Sequence, residues 1–173
     1  MIDLKEHVRE VPDFPIPGIL FYDITTLIQN GKVFRETVRR LAEKVSAWRP
    51  IDSIAAPEAR GFIFAAPLAS ELGVGLIPIR KPGKLPFKTV SKSYDLEYGS
   101  NTVQMNVDAI SKGDRVLLVD DLLATGGTME ACRELVEENG GQVVGAAFVM
   151  ELLFLKGREK IKTSNVATLL QYD

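Results

Sequence analysis

Cysteine and histidine are almost absent from this sequence of 173 residues, which contains one of each. A single cysteine, Cys132, excludes an intramolecular disulfide framework and any zinc site built from several cysteines. The single histidine, His7, lies among charged residues near the start of the chain, which argues against a histidine-based triad and excludes a multi-histidine metal site. Any bound metal is therefore expected to be a hard cation held by carboxylates, water and substrate oxygens.

The sequence also lacks an excess of positive charge and any long apolar run. Its 21 lysines and arginines are outnumbered by 23 acidic residues, which gives a net charge of -2. Nucleic acids and anionic membranes select basic surfaces, so neither is an expected partner. No apolar run reaches the roughly 18 residues of a membrane-spanning helix, and residues 1–6 contain no signal-like hydrophobic region. Together with the scarcity of cysteine, these features predict a cytoplasmic protein.

The stretch 116–129 carries the strongest functional signal in the sequence. Four aliphatic residues are followed by two adjacent carboxylates, Asp120 and Asp121, and then by small residues that include a glycine pair. An unbroken aliphatic run predicts a strand buried on both faces of a parallel sheet. The glycines allow a tight turn, and a helix that begins near Thr128 would direct unpaired N–H groups at an anion. Residues 124–128 are therefore a predicted phosphate cradle.

This cradle differs from the common nucleotide-binding loops. No lysine follows Gly126 and Gly127, so the P-loop spacing is absent, and G-x-G-x-x-G is absent as well. The acidic pair could hold sugar hydroxyls while the loop amides hold a phosphate on the same sugar. The alternative is an acidic strand end before an ordinary glycine turn, which a bare pair of aspartates would favour. The length of the whole stretch favours the phosphate cradle.

Two further turns follow predicted strands and carry positive charge. Arg60 lies in a turn after the strand 53–57, just before a helix that is predicted to end ahead of Gly73. Beyond the strand 74–80, the segment that starts at Arg80 contains four lysines and no acidic residue until Asp95. Planar guanidinium groups and clustered ammonium groups suit a diphosphate. Each of these charges could instead be a solvated surface cation.

Alternating strand and helix patterns predict a doubly wound α/β fold in a single domain, residues 1–173. The composition, with 46% hydrophobic and 25% charged residues, is ordinary for a globular protein. Helical spacing appears over 33–48 and 128–139, and a half-exposed strand over 101–107. The first 12 residues are predicted to form a short amphipathic helix, and residues 12–25 a packed irregular flap. The parallel strands are expected near residues 53–57, 74–80, 116–120, 142–150 and 166–170.

These motifs occur together, in the same order, in one known family. The stretch Asp120–Thr128, the turn around Arg60 and the segment from Arg80 resemble the type I phosphoribosyltransferases, and in particular their adenine-specific branch. The resemblance covers nearly the whole chain from Pro12 onward. It implies a doubly wound, mostly parallel sheet flanked by helices, with a small N-terminal hood over about residues 1–30 and a flexible catalytic loop over about 80–106.

The resemblance also implies a reaction. Enzymes of this branch transfer the ribose 5-phosphate of phosphoribosyl pyrophosphate to N9 of adenine, giving AMP and diphosphate in purine salvage. The implied cofactor is Mg²⁺, held mainly through the substrate diphosphate and water. The implied assembly is a homodimer, and the implied ligands are adenine, phosphoribosyl pyrophosphate, AMP and diphosphate.

Functional roles follow from the resemblance at matching positions. Catalytic roles fall on Glu97, which would lie near N7 of the base, and on Arg60 and Lys84. The phosphoribosyl group would be bound by Asp120, Asp121, Ala124, Thr125, Gly126, Gly127 and Thr128. The pyrophosphate would be bound by Glu58, Ala59, Arg60, Arg80, Lys81 and Lys84. Adenine would be bound by Leu20, Phe21, Tyr22 and Leu152.

The sequence departs from the family pattern at several positions. Tyr22 stands where relatives commonly have arginine, and Phe87 stands where they often have a small or polar residue. Gln104 and Asn106 replace residues often seen as glutamate and histidine. One alternative function is therefore a transferase for hypoxanthine, guanine or xanthine. Another is a regulator that binds phosphoribosyl pyrophosphate or a nucleotide without catalysis, although the retained Glu97 argues against it.

Overall fold

The computed structural model of the protein describes residues 2–95 and 99–173, and a parallel sheet lies at its centre. Within the described residues, no helix is both long enough and apolar enough to cross a membrane. Three short 3-10 turns occur at Lys5–His7, Ser46–Trp48 and Leu153–Leu155. The strands and α-helices follow in the order β1 (Arg9–Pro12), β2 (Leu20–Asp23), α1 (Thr25–Gln29), α2 (Gly31–Val45), β3 (Ser53–Pro57), α3 (Arg60–Leu72), β4 (Gly75–Ile79), β5 (Thr89–Asp95), β6 (Ser100–Asn106), β7 (Arg115–Leu123), α4 (Gly127–Glu138), β8 (Gln142–Leu152), α5 (Gly157–Lys160) and β9 (Val166–Tyr172).

The central sheet of the described residues has five parallel strands in the order β4-β3-β7-β8-β9. This architecture confirms the predicted doubly wound α/β fold. The chain moves outward in one direction from β3 to β4 and in the other from β7 to β9. The strand order therefore reverses between β3 and β7. In open α/β sheets, ligands bind at the carboxyl ends of the strands beside such a reversal.

Two apolar clusters cover the two faces of this sheet. Successive residues of β7 point to opposite faces, so Leu117 and Val119 join one cluster while Val116 and Leu118 join the other. The first cluster also contains the buried sides of α1, α2 and α3, and the second contains that of α4. A strand covered on both faces needs apolar residues at every position, which explains its unbroken aliphatic run.

Among the described residues, two antiparallel strand pairs lie outside the central sheet, β1 with β2 and β5 with β6. β5 pairs with β6, from Thr89 opposite Asn106 to Asp95 opposite Ser100. This pairing confirms the half-exposed strand predicted over 101–107 and shows that its partner is β5. Met105 and Val103 of β6 are buried in the cluster that contains α4, so this hairpin covers the α4 side of the protein.

The prediction for the N-terminal segment was wrong. The described residues 2–12 do not form an amphipathic helix, because the 3-10 turn Lys5–His7 is the only helical part of that range and β1 follows it in extended conformation. The segment predicted as an irregular flap contains β2, which pairs antiparallel with β1. Leu4 and Val8 are buried, as they would be in an amphipathic helix. The backbone of β1, however, forms its hydrogen bonds with β2, which follows the proline-rich segment. Local spacing does not reveal such a distant partner.

Gly145 in β8 offers a test of this packing. A β-carbon there would lie 2.6 Å from Trp48 Cε3 and 2.9 Å from the carbonyl oxygen of Asn165. Gly145→Ala is therefore expected to lower the free energy of unfolding by about 1–3 kcal/mol, the usual cost of overpacking. Urea denaturation measures this change. In the control, Gly75→Ala, the added carbon meets only Ser53 Cβ at 3.8 Å, so an equal loss in both variants would contradict the packing argument.

Candidate active site at the reversal of the strand order

A groove of about 180 Å³ lies where the ends of β3 and β7 meet. Arg60, from the start of α3, and Phe148, from β8, form part of its wall. The remaining wall is the end of β7 and the loop that follows it. A larger depression of about 430 Å³ lies elsewhere and is lined by Arg49, Pro50, Ile51, Leu72 and Val74, which offer no carboxylate and no glycine loop. The chemistry is therefore concentrated in the smaller groove, lined by Arg60, Asp120, Asp121, Leu122, Leu123, Ala124, Thr125, Gly126, Gly127, Thr128, Met129 and Phe148.

The phosphate cradle has the strand–loop–helix geometry that the sequence predicted. β7 continues past the two aspartates to Leu123, three residues further than expected from the aliphatic run. Gly126 adopts a left-handed conformation with φ of 80°, which favours glycine, and α4 begins at Gly127. The first amides of α4 lack partners within the helix. They are available, together with the positive end of the helix dipole, to hold an anion.

Close contact with α5 holds the cradle in place. A β-carbon on Gly126 would lie 2.5 Å from the carbonyl oxygen of Gly157, and one on Gly157 would lie 2.2 Å from that of Ala124. Neither position has room for a side chain. Both glycines are therefore required for the backbone of α5 to approach the cradle this closely.

The two carboxylates at the end of β7 have different partners. Asp121 is buried, and its Oδ2 lies 2.7 Å from Nε of Arg60. Its backbone N–H donates to Oδ1 of Asp120 at 2.8 Å. Burial, and then the neighbouring Asp121 carboxylate, raise the pKa of Asp120 well above its usual range. A β-carbon on Gly61 would lie 3.0 Å from Asp120 Oδ1, so glycine at this position lets the start of α3 approach the acidic pair.

Glu58 joins the end of β3 to the basic segment that follows β4. Its carboxylate accepts from Nε of Arg80 at 2.7 Å and from the backbone N–H of Lys81 at 3.0 Å. Burial alone would raise the pKa of Glu58, but these hydrogen bonds outweigh it and lower that pKa. Arg80 also donates to the carbonyl oxygen of Lys84 at 3.1 Å. The side chains of Glu58 and Arg80 thus shape the segment, and Lys81 and Lys84 project from it exposed.

The β5–β6 hairpin is fastened to α4 by polar contacts that sequence reasoning missed. Nζ of Lys92 lies 2.9 Å from Glu134 and 2.5 Å from Glu138. The hydroxyl of Tyr94 lies 3.0 Å from Oγ1 of Thr128, at the edge of the cradle. Val90, Lys92 and Tyr94 occupy alternate positions of β5, so their side chains lie on one face of the strand. This alternation is the sequence signal that could have predicted packing of that face against another element.

Two of the predicted base-binding residues, Tyr22 and Leu152, lie beside the C-terminal strand β9. The ring of Tyr22 lies against that of Tyr172, with centroids 3.9 Å apart, and Leu152 is opposite Tyr172 in the β8–β9 pairing. Tyr22 and Leu152 therefore lie beside the same residue. Phe21 makes an edge-to-face contact with Phe14 at 5.0 Å. Leu20 is exposed, whereas Glu97 lies outside the described residues.

Comparison with known proteins agrees with this arrangement. The family model described as "Phosphoribosyl transferase domain" matches residues 25–168. The chain belongs to the phosphoribosyltransferase family. It is 54% identical to the adenine phosphoribosyltransferase of Carboxydothermus hydrogenoformans over 171 residues, covering 99% of this chain and 100% of the relative.

Solved structures of the same family extend the comparison. The adenine phosphoribosyltransferase of Thermoanaerobacter pseudethanolicus matches with a TM-score of 0.94 and 49% identity, covering 98% of each chain. The Saccharomyces cerevisiae enzyme, solved with adenine and an imino-altritol bisphosphate, matches with a TM-score of 0.90 and 41% identity over 96% of each chain. The phosphoribosyltransferase fold therefore applies to nearly the whole chain.

In this phosphoribosyltransferase, a hydrogen-bond network centred on the buried Glu151 lies next to Leu152, one of the predicted base-binding residues. Glu151, next to Leu152, is buried and accepts two hydrogen bonds from Arg158, at 2.5 and 2.7 Å. Thr168 and Gln171 of β9 each donate to the same carboxylate at 3.1 Å. The network joins the end of β8 to β9 and to α5. It thereby fixes the backbone from which Leu152 projects.

The pH dependence of stability tests this network. Burial alone would raise the pKa of Glu151, but the hydrogen bonds from Arg158, Gln171 and Thr168 lower it. A carboxyl group with a lowered native pKa stabilises the fold above its unfolded value of about 4.3, and this stabilisation is lost as pH falls through the native pKa. Glu151→Gln should therefore reduce the free energy of unfolding by about 1–3 kcal/mol near pH 7.

The difference between wild type and Glu151→Gln should shrink below about pH 4.3, as measured by urea denaturation across the pH range. Arg158 is 40% exposed, which keeps the expected loss below that of a fully buried ion pair. Glu43→Gln is the control, because Glu43 is 62% exposed in its pair with Arg39 and should contribute about 0–1 kcal/mol. A difference that is independent of pH would contradict the assigned role of Glu151.

Proposed function

We propose that the protein transfers the ribose 5-phosphate of phosphoribosyl pyrophosphate to N9 of adenine, giving AMP and diphosphate in purine salvage. The observation that carries this proposal is the acidic pair Asp120–Asp121 between the phosphate cradle and Arg60. A ligand that spans the three must have a polyhydroxyl centre with anionic groups on two sides. The relatives named adenine phosphoribosyltransferase, at about half identity over the full chain, support the choice of reaction.

The proposed substrate is held from its two ends. The cradle, Ala124 to Thr128, holds the 5-phosphate through backbone amides and the Thr128 hydroxyl. Asp120 and Asp121 hold the ribose hydroxyls. On this proposal binding replaces the Arg60–Asp121 ion pair, because the hydroxyls take Asp121 and the diphosphate takes Arg60. The buried Asp121 and the half-exposed Arg60 each keep a partner through the exchange, which limits the desolvation cost.

The proposed reaction exchanges one bond at the anomeric carbon for another. The bond between C1 and the diphosphate oxygen breaks with both electrons leaving on diphosphate, and the lone pair of N9 forms the new bond to C1 with inversion. The imidazole N–H proton of adenine is transferred to the departing diphosphate or to water. Positive charge that develops on the sugar is stabilised by the Asp120–Asp121 pair, and negative charge on the leaving group by Arg60, Lys81 and Lys84. Glu97 is assigned to the base by resemblance alone.

The side chains present fit a magnesium ion that arrives with the substrate. Within the described residues, no three acidic, histidine or cysteine side chains form a cluster suited to a metal ion. Asp121 is already paired with Arg60, and Asp120 accepts from a backbone amide. Mg²⁺ is therefore proposed to be held through diphosphate oxygens and water, with the acidic pair nearby, and to neutralise charge on the leaving group.

The contacts of Tyr22 suggest how the base is recognised despite the departure from arginine. Its ring is engaged with Tyr172, so Tyr22 is proposed to meet adenine through its backbone, while Leu152 and Phe21 provide apolar surface. Burial, and then the charge of Glu10, raise the pKa of the Tyr22 hydroxyl.

The hood over residues 1–30 and the closing loop over 80–106 are proposed as parts of a single domain. Closure of the loop would exclude water that could hydrolyse the activated sugar. Exposed apolar residues of the hood, such as Phe14 at 50% and Ile16 at 60%, suit burial against a second copy and support the proposed homodimer. A cytoplasmic location stays a prediction from the scarcity of cysteine.

Product formation with different bases tests the proposed function. Purified protein with phosphoribosyl pyrophosphate and Mg²⁺ is expected to form AMP and diphosphate from adenine, and no nucleotide from hypoxanthine, guanine or xanthine. Chromatography of the products measures this directly. Product from another base would leave the reaction intact but contradict the proposed base site. Ligand binding without any product would favour a non-catalytic regulator.

Arg60→Ala tests the electrostatic role of Arg60. Removal of one well-placed group is expected to lower kcat by about 10²–10³-fold, as measured by steady-state kinetics. Arg39→Ala is the matched control, because Arg39 is 50% exposed and forms ion pairs on α2, while Arg60 is 49% exposed. A wild-type kcat in Arg60→Ala would contradict the proposed electrostatic role of Arg60. Thermal unfolding of both variants separates a loss of rate from a loss of fold.

A further inference from the structure

We propose that Lys160 supplies the positive side-chain charge of the phosphate cradle and binds the 5-phosphate of the substrate. This inference rests on the proposed function. It adds to the cradle a residue that lies far from it in the sequence and that neither the motif nor the groove lining identifies. It also provides the positive charge that a lysine directly after the glycines provides in a P-loop.

The cradle has no cation of its own. In a P-loop, a lysine directly after the glycines supplies a point charge to the bound phosphates, but here Thr128 and Met129 occupy the positions after Gly127. The amides of α4 and the helix dipole offset only part of the charge of a phosphate dianion. A cation from another element would complete the site.

Lys160 lies where such a cation is needed. Measured from the position a β-carbon would take on Gly127, its Nζ is at 3.5 Å and its Cε at 3.9 Å. The ammonium group therefore lies over the first residue of α4, beside the ring of Tyr94, whose Cδ2 is 3.8 Å from the same position. Tyr94 in turn contacts the Thr128 hydroxyl. Lys160, Tyr94 and Thr128 thus surround the N-terminus of α4.

The position of Lys160 is set by backbone packing. Lys160 ends α5, and α5 begins at Gly157, which lies against Ala124 and Gly126 of the cradle. This contact holds the cradle and the base of the Lys160 side chain in a fixed relation. The flexible four-carbon stem then needs only a small rearrangement to bring the ammonium to a phosphate.

No acidic group of the described residues competes for this ammonium. Lys160 forms no salt bridge with any of them, whereas the neighbouring Arg158 is paired with Glu151. The acid in the first turn of α4, Glu130, is occupied by two hydrogen bonds from Arg133 and one from the backbone of Lys162. A cation that the described acidic side chains leave available, beside an anion-binding helix end, is the arrangement that a phosphate dianion would select.

Lys160→Met tests this proposal, because methionine keeps the apolar stem and removes the charge. The Kd for AMP, measured by calorimetry, should rise roughly tenfold, the effect of losing one partly exposed charge-assisted contact. The KM for phosphoribosyl pyrophosphate should rise by a similar factor, while the KM for adenine and the melting temperature stay near wild type. The difference in Kd should decrease at high salt. Lys160→Arg should restore most of the affinity.

Lys162→Met is the control, because it removes the same charge two residues away. Lys162 is 74% exposed, and its Nζ lies 3.9 Å from Glu130. Equal AMP affinity in wild type and Lys160→Met, or an equal loss in Lys162→Met, would overturn the role of Lys160 while leaving the proposed function in place. Wild-type protein that binds no AMP would overturn the proposed function, and this inference with it.

Discussion

Two carboxylates on adjacent residues at the end of a buried strand repel each other, and the site depends on how this repulsion is offset. Arg60 pairs with Asp121, and the backbone N–H of Asp121 donates to Asp120. Burial, and then the charge of Asp121, nevertheless raise the pKa of Asp120, so these contacts offset the repulsion only in part. The electrostatic potential is thus negative at the end of β7 and positive at the neighbouring N-terminus of α4. Such a pairing of opposite potentials suits a ligand that is cationic at one carbon and anionic at its ends.

The central sheet could be predicted because its sequence signals are local. β3 and α3 lie close to their predicted ranges, since an unbroken aliphatic run, a glycine turn and a helical pattern report directly on burial and backbone conformation. The cradle was predictable for the same reason. Its glycines are required by the left-handed turn at Gly126 and by close backbone contact.

The contacts that depend on distant parts of the chain could not be predicted in this way. The pairing of β1 with β2, the docking of Tyr94 on Thr128 and the position of Lys160 all join segments whose proximity only the folded chain defines. The side chain of Glu58 shows the same limit. The family resemblance assigned Glu58 to the pyrophosphate, whereas only the folded chain shows that its carboxylate binds Arg80 and shapes the basic segment.

The contact between Gly126 and Gly157 has a consequence for the thermodynamics of phosphate binding. A loop held by backbone atoms on both sides has few conformations to lose when its ligand arrives. The conformational entropy of this loop is lost during folding, so more of the interaction energy with the proposed phosphate remains as affinity. A β-carbon at either glycine would force the two backbones apart, and the separated loop would have to be ordered again at each turnover.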